Sequence, residues 1–258
     1  MRKDKAVGFA IGLLLWACCA TAYAGIIVTP ERHIVELKPG ESKTVVLDIA
    51  NAGAEDLRMS VELKEWSKAK ENKDINIDSW LVLFEKEFNI KAGEKKGLNI
   101  RVEAPKAAVG EIVAMIFLCY KEQEDSPVNI RYGNPLYLLI KGTERYDAKV
   151  EKIDCKYDAT DDSDCLRVLV NMMNTGNVHI KPDITVDIFD KDNKRLHQLK
   201  IEGGDIVFPG KSNTYRAEWH STELPEGIYS AKVICSYGNK FKLPAQEVSF
   251  EVKRQKAE

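Results

Sequence analysis

The sequence lacks the residue arrangements on which most enzyme chemistry depends. Its four histidines, His33, His179, His197 and His220, are scattered, with no His-x-x-x-His pair to seat a catalytic zinc. Beyond residue 24 there are four cysteines, Cys119, Cys155, Cys165 and Cys235, and no Cys-x-x-Cys among them. Redox and zinc-finger roles therefore lack their usual spacing. Gly210-Lys211-Ser212 has no upstream phosphate-loop glycine, and no Gly-x-Ser-x-Gly nucleophile turn occurs. Carboxylates are plentiful but isolated, so nothing points to a glycosidase pair. The expectation is a protein without catalytic residues, cofactor or metal.

Basic stripes and long apolar runs are also missing. After residue 24 the chain carries 35 basic and 39 acidic residues, a net charge of about −4. Nucleic-acid binding needs a basic face to exchange counterions on phosphate, so that class is set aside. No apolar run after residue 24 reaches the ~20 residues that cross a bilayer.

What is present begins with a leader. Arg2, Lys3 and Lys5 form a positive start, Ala6 to Ala20 an apolar run, and Ala22-Tyr23-Ala24 a small-x-small cleavage site before Gly25. Residues 1–24 thus read as a secretory signal peptide, and the protein as periplasmic or otherwise secreted to the cell envelope. A lipoprotein site at Leu15-Trp16-Ala17-Cys18 is the alternative, with Trp16 a poor fit.

The remainder reads as short alternating strands. Tyr229, Ala231, Val233 and Cys235 share one face of Ile228 to Cys235, and Ile184, Val186 and Ile188 share one face of Asp183 to Ile188. A weak internal repeat accompanies them. Val45 to Ala50 runs into Asn51-Ala52-Gly53, and Leu166 to Met173 into Asn174-Thr175-Gly176. Lys91-Ala92-Gly93-Glu94 answers to Phe208-Pro209-Gly210-Lys211, and Gly110 before Ile112 answers to Gly227 before Ile228. Three correspondences in one order predict one all-β fold used twice: two tandem immunoglobulin-like β-sandwich domains, at 25–145 and 146–258, joined near Gly142 to Asp147.

Two strands are apolar on both faces, Ile112 to Cys119 and Leu136 to Ile140. Such a strand is either central and covered, or an edge awaiting a partner by β-augmentation. Cys155 and Cys165 flank the acidic stretch Lys156 to Asp164, and a disulfide across a hairpin is the expectation for an oxidising compartment, with about 2–3 kcal/mol of stabilisation. Cys119 and Cys235 read as small buried hydrophobes. Asp158, Asp161, Asp162 and Asp164 lack the glycine and glutamate of a calcium loop and read as a solvated turn.

Ile26 to Arg32, the Pro39-Gly40-Glu41 turn, the strand ending at Asn51, Ile90 to Val102 and Gly110 to Lys121 resemble the first domain of PapD-like periplasmic pilus chaperones, over residues 26–141. In that family an arginine on the first strand and a lysine on the last strand of domain one hold a subunit's C-terminal carboxylate. Arg32 matches the arginine, whereas Asn134 to Ile140 carries no lysine, and Arg131 or Lys141 would require a shifted register. Residues 147–253 resemble the immunoglobulin-like domain of bacterial surface proteins that interact with WxL-type partners, on Asn174 to Pro182, Ile201 to Gly204, Val207 to Gly210 and Leu224 to Tyr229. Such proteins usually continue into a C-terminal membrane helix. This sequence ends at Lys253 to Glu258 without one, so no tether of that kind is expected.

The resemblance implies an exported chaperone-like binding protein for secreted or surface subunits, with Arg32, Leu136, Leu138 and Ile140 as partner-binding residues. Two alternatives stand beside it. One is an envelope adhesion or scaffold protein that binds a folded partner. The other is a carbohydrate-active accessory enzyme, with Trp66, Trp80 and Trp219 as a sugar-stacking face.

Overall fold

The computed structural model describes residues 25–121, 127–159, 164–201, 204–220, 224–238 and 241–253. The leader with Cys18, the turn residues Asp161 and Asp162, and the tail 254–258 lie outside them. The first half contains β1 (Ile26–Thr29), β2 (His33–Leu37), β3 (Ser42–Asn51), β4 (Leu57–Lys68), β5 (Leu81–Leu83), β6 (Glu87–Ile90), β7 (Lys95–Glu103), β8 (Gly110–Tyr120) and β9 (Ile130–Ile140). The second contains β10 (Ala148–Ala159), β11 (Asp164–Asn174), β12 (Pro182–Phe189), β13 (Arg195–Ile201), β14 (Ser212–His220), β15 (Gly227–Tyr237), β16 (Phe241–Lys242) and β17 (Gln246–Val252). Two single 3-10 turns, Lys70–Asn72 and Ile77–Ser79, are the only helices among the described residues. No helix there is long and apolar enough to cross a membrane.

Period-two patterning explains the layers. In β15 Tyr229, Ala231, Val233 and Cys235 are buried while Ile228 is exposed, and in β12 Ile184, Val186 and Ile188 are buried. Each such face needs a second sheet to cover it. The first sandwich packs β1-β3-β7-β5 against β2-β9-β8-β4-β6; the second packs β10-β11-β14 against β13-β12-β15, with β16 and β17 both paired to β15. Two separate cores result, one drawn from Val28 to Ile140 and the other from Ala148 to Val252. Each fully buried Val, Leu or Ile contributes roughly 1.5–3 kcal/mol.

The first strand changes sheets. β1 pairs antiparallel with β3, the chain turns through a cis Thr29–Pro30 peptide, and β2 then pairs parallel with β9, His33 opposite Leu136 and Leu37 opposite Ile140. This crossing places Arg32 beside β9.

Glycine is required where the sandwiches meet. Gly110, at φ +64°, donates its N–H to Thr143 Oγ1 at 2.7 Å, and a Cβ there would lie 2.3 Å from the Asn177 carbonyl oxygen. Gly176 faces the same restriction, its Cβ position falling 2.3 Å from the Arg145 carbonyl oxygen. Side chains at either position would push the two backbones apart.

Candidate functional site

The candidate site runs from the joint between the sandwiches along β9. At the joint, Asn177 is buried and saturates its amide: its Oδ1 accepts from Arg145 N at 2.6 Å, and its Nδ2 donates to the Thr143 carbonyl at 2.9 Å. Its carbonyl accepts from Glu111 N at 2.9 Å. Glu111, 2% exposed at the start of β8, directs Oε2 at His179 Nδ1 2.5 Å away, the ring N–H donating across the joint. The His179 ring also lies 5.1 Å from the Tyr137 ring on β9. Val113, Tyr137 and Val178 are all buried yet belong to neither core. Val113 pairs with Tyr137 between β8 and β9 and Val178 precedes His179, so buried apolar residues flank the Glu111–His179 pair, as a buried carboxylate with a partner requires.

Arg32 is exposed. Burial pushes the Tyr137 hydroxyl above the usual tyrosine range, the Glu111 charge adds to that, and the Arg32 charge opposes it. Arg32 is thus within electrostatic reach of Tyr137. Neither Arg131 nor Lys141, the two cations the sequence offered, joins it. Arg131 is held by Glu62 at 2.6 Å and lies 3.6 Å from the Phe117 ring centre, and Lys141 is held by Glu36 at 2.9 Å. At roughly 3.3 Å per residue, Arg131 is about 20 Å along β9 from Tyr137.

Leu136, Leu138 and Ile140 are fully buried core residues. Their strand segment has β2 on one side and β8 on the other. Of the two readings of Leu136 to Ile140, the covered central strand is the one this pairing fits, and the open edge there is corrected: β2 arrives at His33 and closes the segment. The other half of the strand differs. Ile130 to Pro135 pairs with β8, while β2 is too short to reach it, so its far side carries no ladder among the described residues. Ile130 and Tyr132 pack half-buried against the core, Val128 just before them is 61% exposed, and Asn134 donates to the Pro30 carbonyl at 2.8 Å, where the ladder begins to be closed. Where β2 lands along β9 is not readable from the sequence, which by itself leaves Leu136 to Ile140 open between edge and covered strand.

The expected Cys155–Cys165 disulfide is also corrected. Cys155 lies opposite Val168, and Cys165 opposite Asp158, three positions further along. Cys155 packs against the second core; Cys165 occupies the alternate, outward face, and both thiols are free. Sulfurs on opposite faces of one sheet cannot meet without moving the backbone. Burial first, and then the Asp154 charge, push the Cys155 thiol up to about 12, and burial pushes Cys235 up to about 11.

The three tryptophans form no shared platform. Trp80 is in the core, Trp219 stacks on His197 with ring centres 4.4 Å apart, and exposed Trp66 is the extra residue of a bulge in β4. A cleft of about 540 Å³ beside the joint is lined by Lys70, Glu71, Lys73, Arg145 and Thr175 among others, but Arg145 is engaged with Glu71 at 3.2 Å and the Thr175 carbonyl at 2.7 Å.

No family model matches the chain, and no curated protein matches its sequence. Among solved structures it is similar to the class 5 fimbriae chaperone CfaA, at 14% identity over 90% of this chain and 100% of that one, with a TM-score of 0.46. It is also similar to the periplasmic chaperone SfaE, at 15% identity over 86% and 98%, TM-score 0.42. A third is the CsuC–CsuE chaperone–tip adhesion subunit pre-assembly complex of Acinetobacter baumannii, at 14% identity over 74% and 90%, TM-score 0.42. At this distance the likeness concerns the layout of strands and assigns no activity.

Proposed function

We propose that this chain is an exported, non-catalytic binding protein that holds an extended segment of a secreted or surface subunit by strand addition beside Ile130 to Pro135, as a chaperone in surface-fibre assembly does. The observation that carries the reading is the half-closed strand: β9 is laddered on both sides from Leu136 to Ile140 and on one side only from Ile130 to Pro135. An unpaired run of backbone donors and acceptors templates another strand. The half-buried outer residues Met115 and Phe117 of β8, next to Gly133, supply an apolar surface adjoining it.

Arg32 fits the role of an anchor for a client carboxylate at the Pro135 end of the unladdered half, since a charge-assisted hydrogen bond strengthens as its surroundings dry. With Arg131 and Lys141 engaged elsewhere, strand pairing supplies the larger share of the affinity. The leader read from residues 1–24 supports an encounter in the periplasm or cell envelope.

The test is a native pull-down of the tagged exported chain from its own envelope, read by mass spectrometry and by amide exchange over Ile130 to Asn134. A stoichiometric β-rich subunit that slows exchange there supports the proposal. A folded partner that leaves those amides untouched, or recovery of the protein alone, overturns it in favour of a scaffold role.

A further inference from the structure

β11 and β14 bring together three side chains of different chemistry on the outward face of the second sandwich. Cys165 stands directly opposite His220 in the antiparallel ladder, and Glu218 is two residues from His220 on the same face. Directly opposed residues have Cβ atoms about 4.5–5.5 Å apart, and the alternate residue on a strand returns to the same side. As a result the Cys165 sulfur, a Glu218 oxygen and a His220 ring nitrogen all lie within 4.8 Å of one another.

The Glu218 carboxylate is divided between two tasks. Its Oε1 accepts from Arg167 Nε at 3.2 Å and from Arg216, which fixes the orientation of the group. Its Oε2 is turned the other way, 3.5 Å from His220 Nε2. That separation is at the limit for a hydrogen bond. It matches two ligands of one tetrahedral ion, whose edges are about 3.4 Å when the metal–ligand bonds are about 2.0–2.1 Å.

We propose that Cys165, Glu218 and His220 form a binding site for a single zinc-class divalent transition-metal ion. Thiolate, imidazole and carboxylate are the donor set such ions take, and three protein ligands leave a fourth position to water. Binding transfers the Cys165 thiol proton to solvent, one proton per ion. The arginines on Oε1 act as outer partners that hold the carboxylate in place. Asp158, opposite Cys165 on β10, is engaged with Lys156 and Arg167 and is not needed as a ligand. The site is nine residues along β11 from Asn174, about 30 Å from the joint at the rise of an extended strand, and does not depend on the strand-addition proposal.

The exported chain, reduced and freed of metal, is titrated with cobalt(II) while thiolate-to-cobalt charge transfer is followed in the near ultraviolet, and zinc is then added as competitor. The expected result is a band that saturates at one equivalent and is displaced by zinc. Cys165→Ser removes it, and Cys119→Ser leaves it unchanged. Removing an outer partner of a ligand already costs roughly tenfold in affinity, so His220→Ala, at an exposed position, is expected to cost at least that. Absence of the band in the wild-type chain, or its survival in Cys165→Ser, overturns the proposal. Circular dichroism confirms that each variant is folded, so loss of the band reports on ligation alone.

Discussion

Asn51 and Asn174, at the ends of β3 and β11, make the same hydrogen bonds in the two sandwiches. Asn51 Nδ2 donates to the carbonyls of Glu55 and Ile90, and its Oδ1 accepts from Gly53 N. Asn174 Nδ2 donates to the carbonyls of Val178 and Val207, and its Oδ1 accepts from Gly176 N. Around each, the backbone repeats as well: Gly93 N donates to the Asn51 carbonyl and Gly210 N to the Asn174 carbonyl. A buried amide that satisfies two carbonyls and one N–H closes the strand end and ties the neighbouring turn to it.

Asn51→Ala and Asn174→Ala are each expected to cost about 2–4 kcal/mol, because two carbonyls and a turn N–H lose the buried amide that ties them together. Urea titrations followed by domain-specific fluorescence or exchange check this. The first variant lowers the midpoint of the first sandwich and the second that of the other, and equal loss in both sandwiches from either variant contradicts the independence of their cores.

Gly110→Ala forces a methyl group against the Asn177 backbone and a strained φ on a residue with a Cβ. A cost of about 2–4 kcal/mol is expected, concentrated at the joint. Limited proteolysis should then cut faster within 141–147 while both cores keep their exchange protection.

His179→Ala removes the ring donor and leaves the buried Glu111 carboxylate with the longer 3.4 Å hydrogen bond from the backbone N–H of position 179. Breaking a buried pair costs roughly 3–5 kcal/mol; since His179 is about a quarter exposed, the expectation sits at the low end. Glu111→Gln in the same background should recover part of the loss by removing the stranded charge, measured as a double-mutant cycle.

Two substitutions in β9 separate binding from folding. Ile130→Lys puts a charge on the unladdered half and is expected to abolish subunit capture; because Ile130 packs half-buried against the core, the thermal midpoint falls as well, by less than in Leu138→Glu, and capture is compared at a temperature where the variant is folded. Leu138→Glu buries a carboxylate in the core and is expected to unfold the first sandwich, a loss above about 4 kcal/mol. Full capture by a folded Ile130→Lys protein would remove the open half-strand from consideration.

Alkaline stability of the second sandwich follows from groups whose folded pKa is raised. Cys155 and Tyr215 are both pushed up to about 12 and Cys235 to about 11, in each case mainly by burial. Each therefore stabilises fully below its unfolded value, near 9 for the thiols and 10 for the tyrosine, where both states hold the proton. As pH rises past that value the unfolded chain releases the proton first, and the contribution declines until the folded value is reached. A midpoint that falls progressively between about pH 9 and 12, and less steeply in Cys155→Ala, is the expected result of denaturation across that range.

The strand pattern was legible because it depends on near neighbours in sequence. Alternation along Ile184 to Ile188 and Tyr229 to Cys235 states which face is buried whatever that face meets, and the Asn-x-Gly ends of Ala50 and Met173 announce a turn that the backbone must then make. The repeat between the halves followed from the same local rules. Pairings between distant segments were not legible in this way. Cys155 and Cys165 are ten residues apart and looked like partners, but a parity of two per strand and a register set by β11 put them on opposite faces. Cys165, Glu218 and His220 carry no recognisable spacing, because one of the three arrives from another strand.

The sequence by itself determined a chain of half-buried strands, used twice, since composition and periodicity report which surfaces leave water. Tertiary structure alone decided where β2 stops along β9, which half of that strand stays unladdered, and that Glu111 meets His179 across the joint. Those outcomes depend on register and on the approach of segments far apart in the chain, and a shift of one residue, which local propensity barely resists, would turn each of these side chains to the other face.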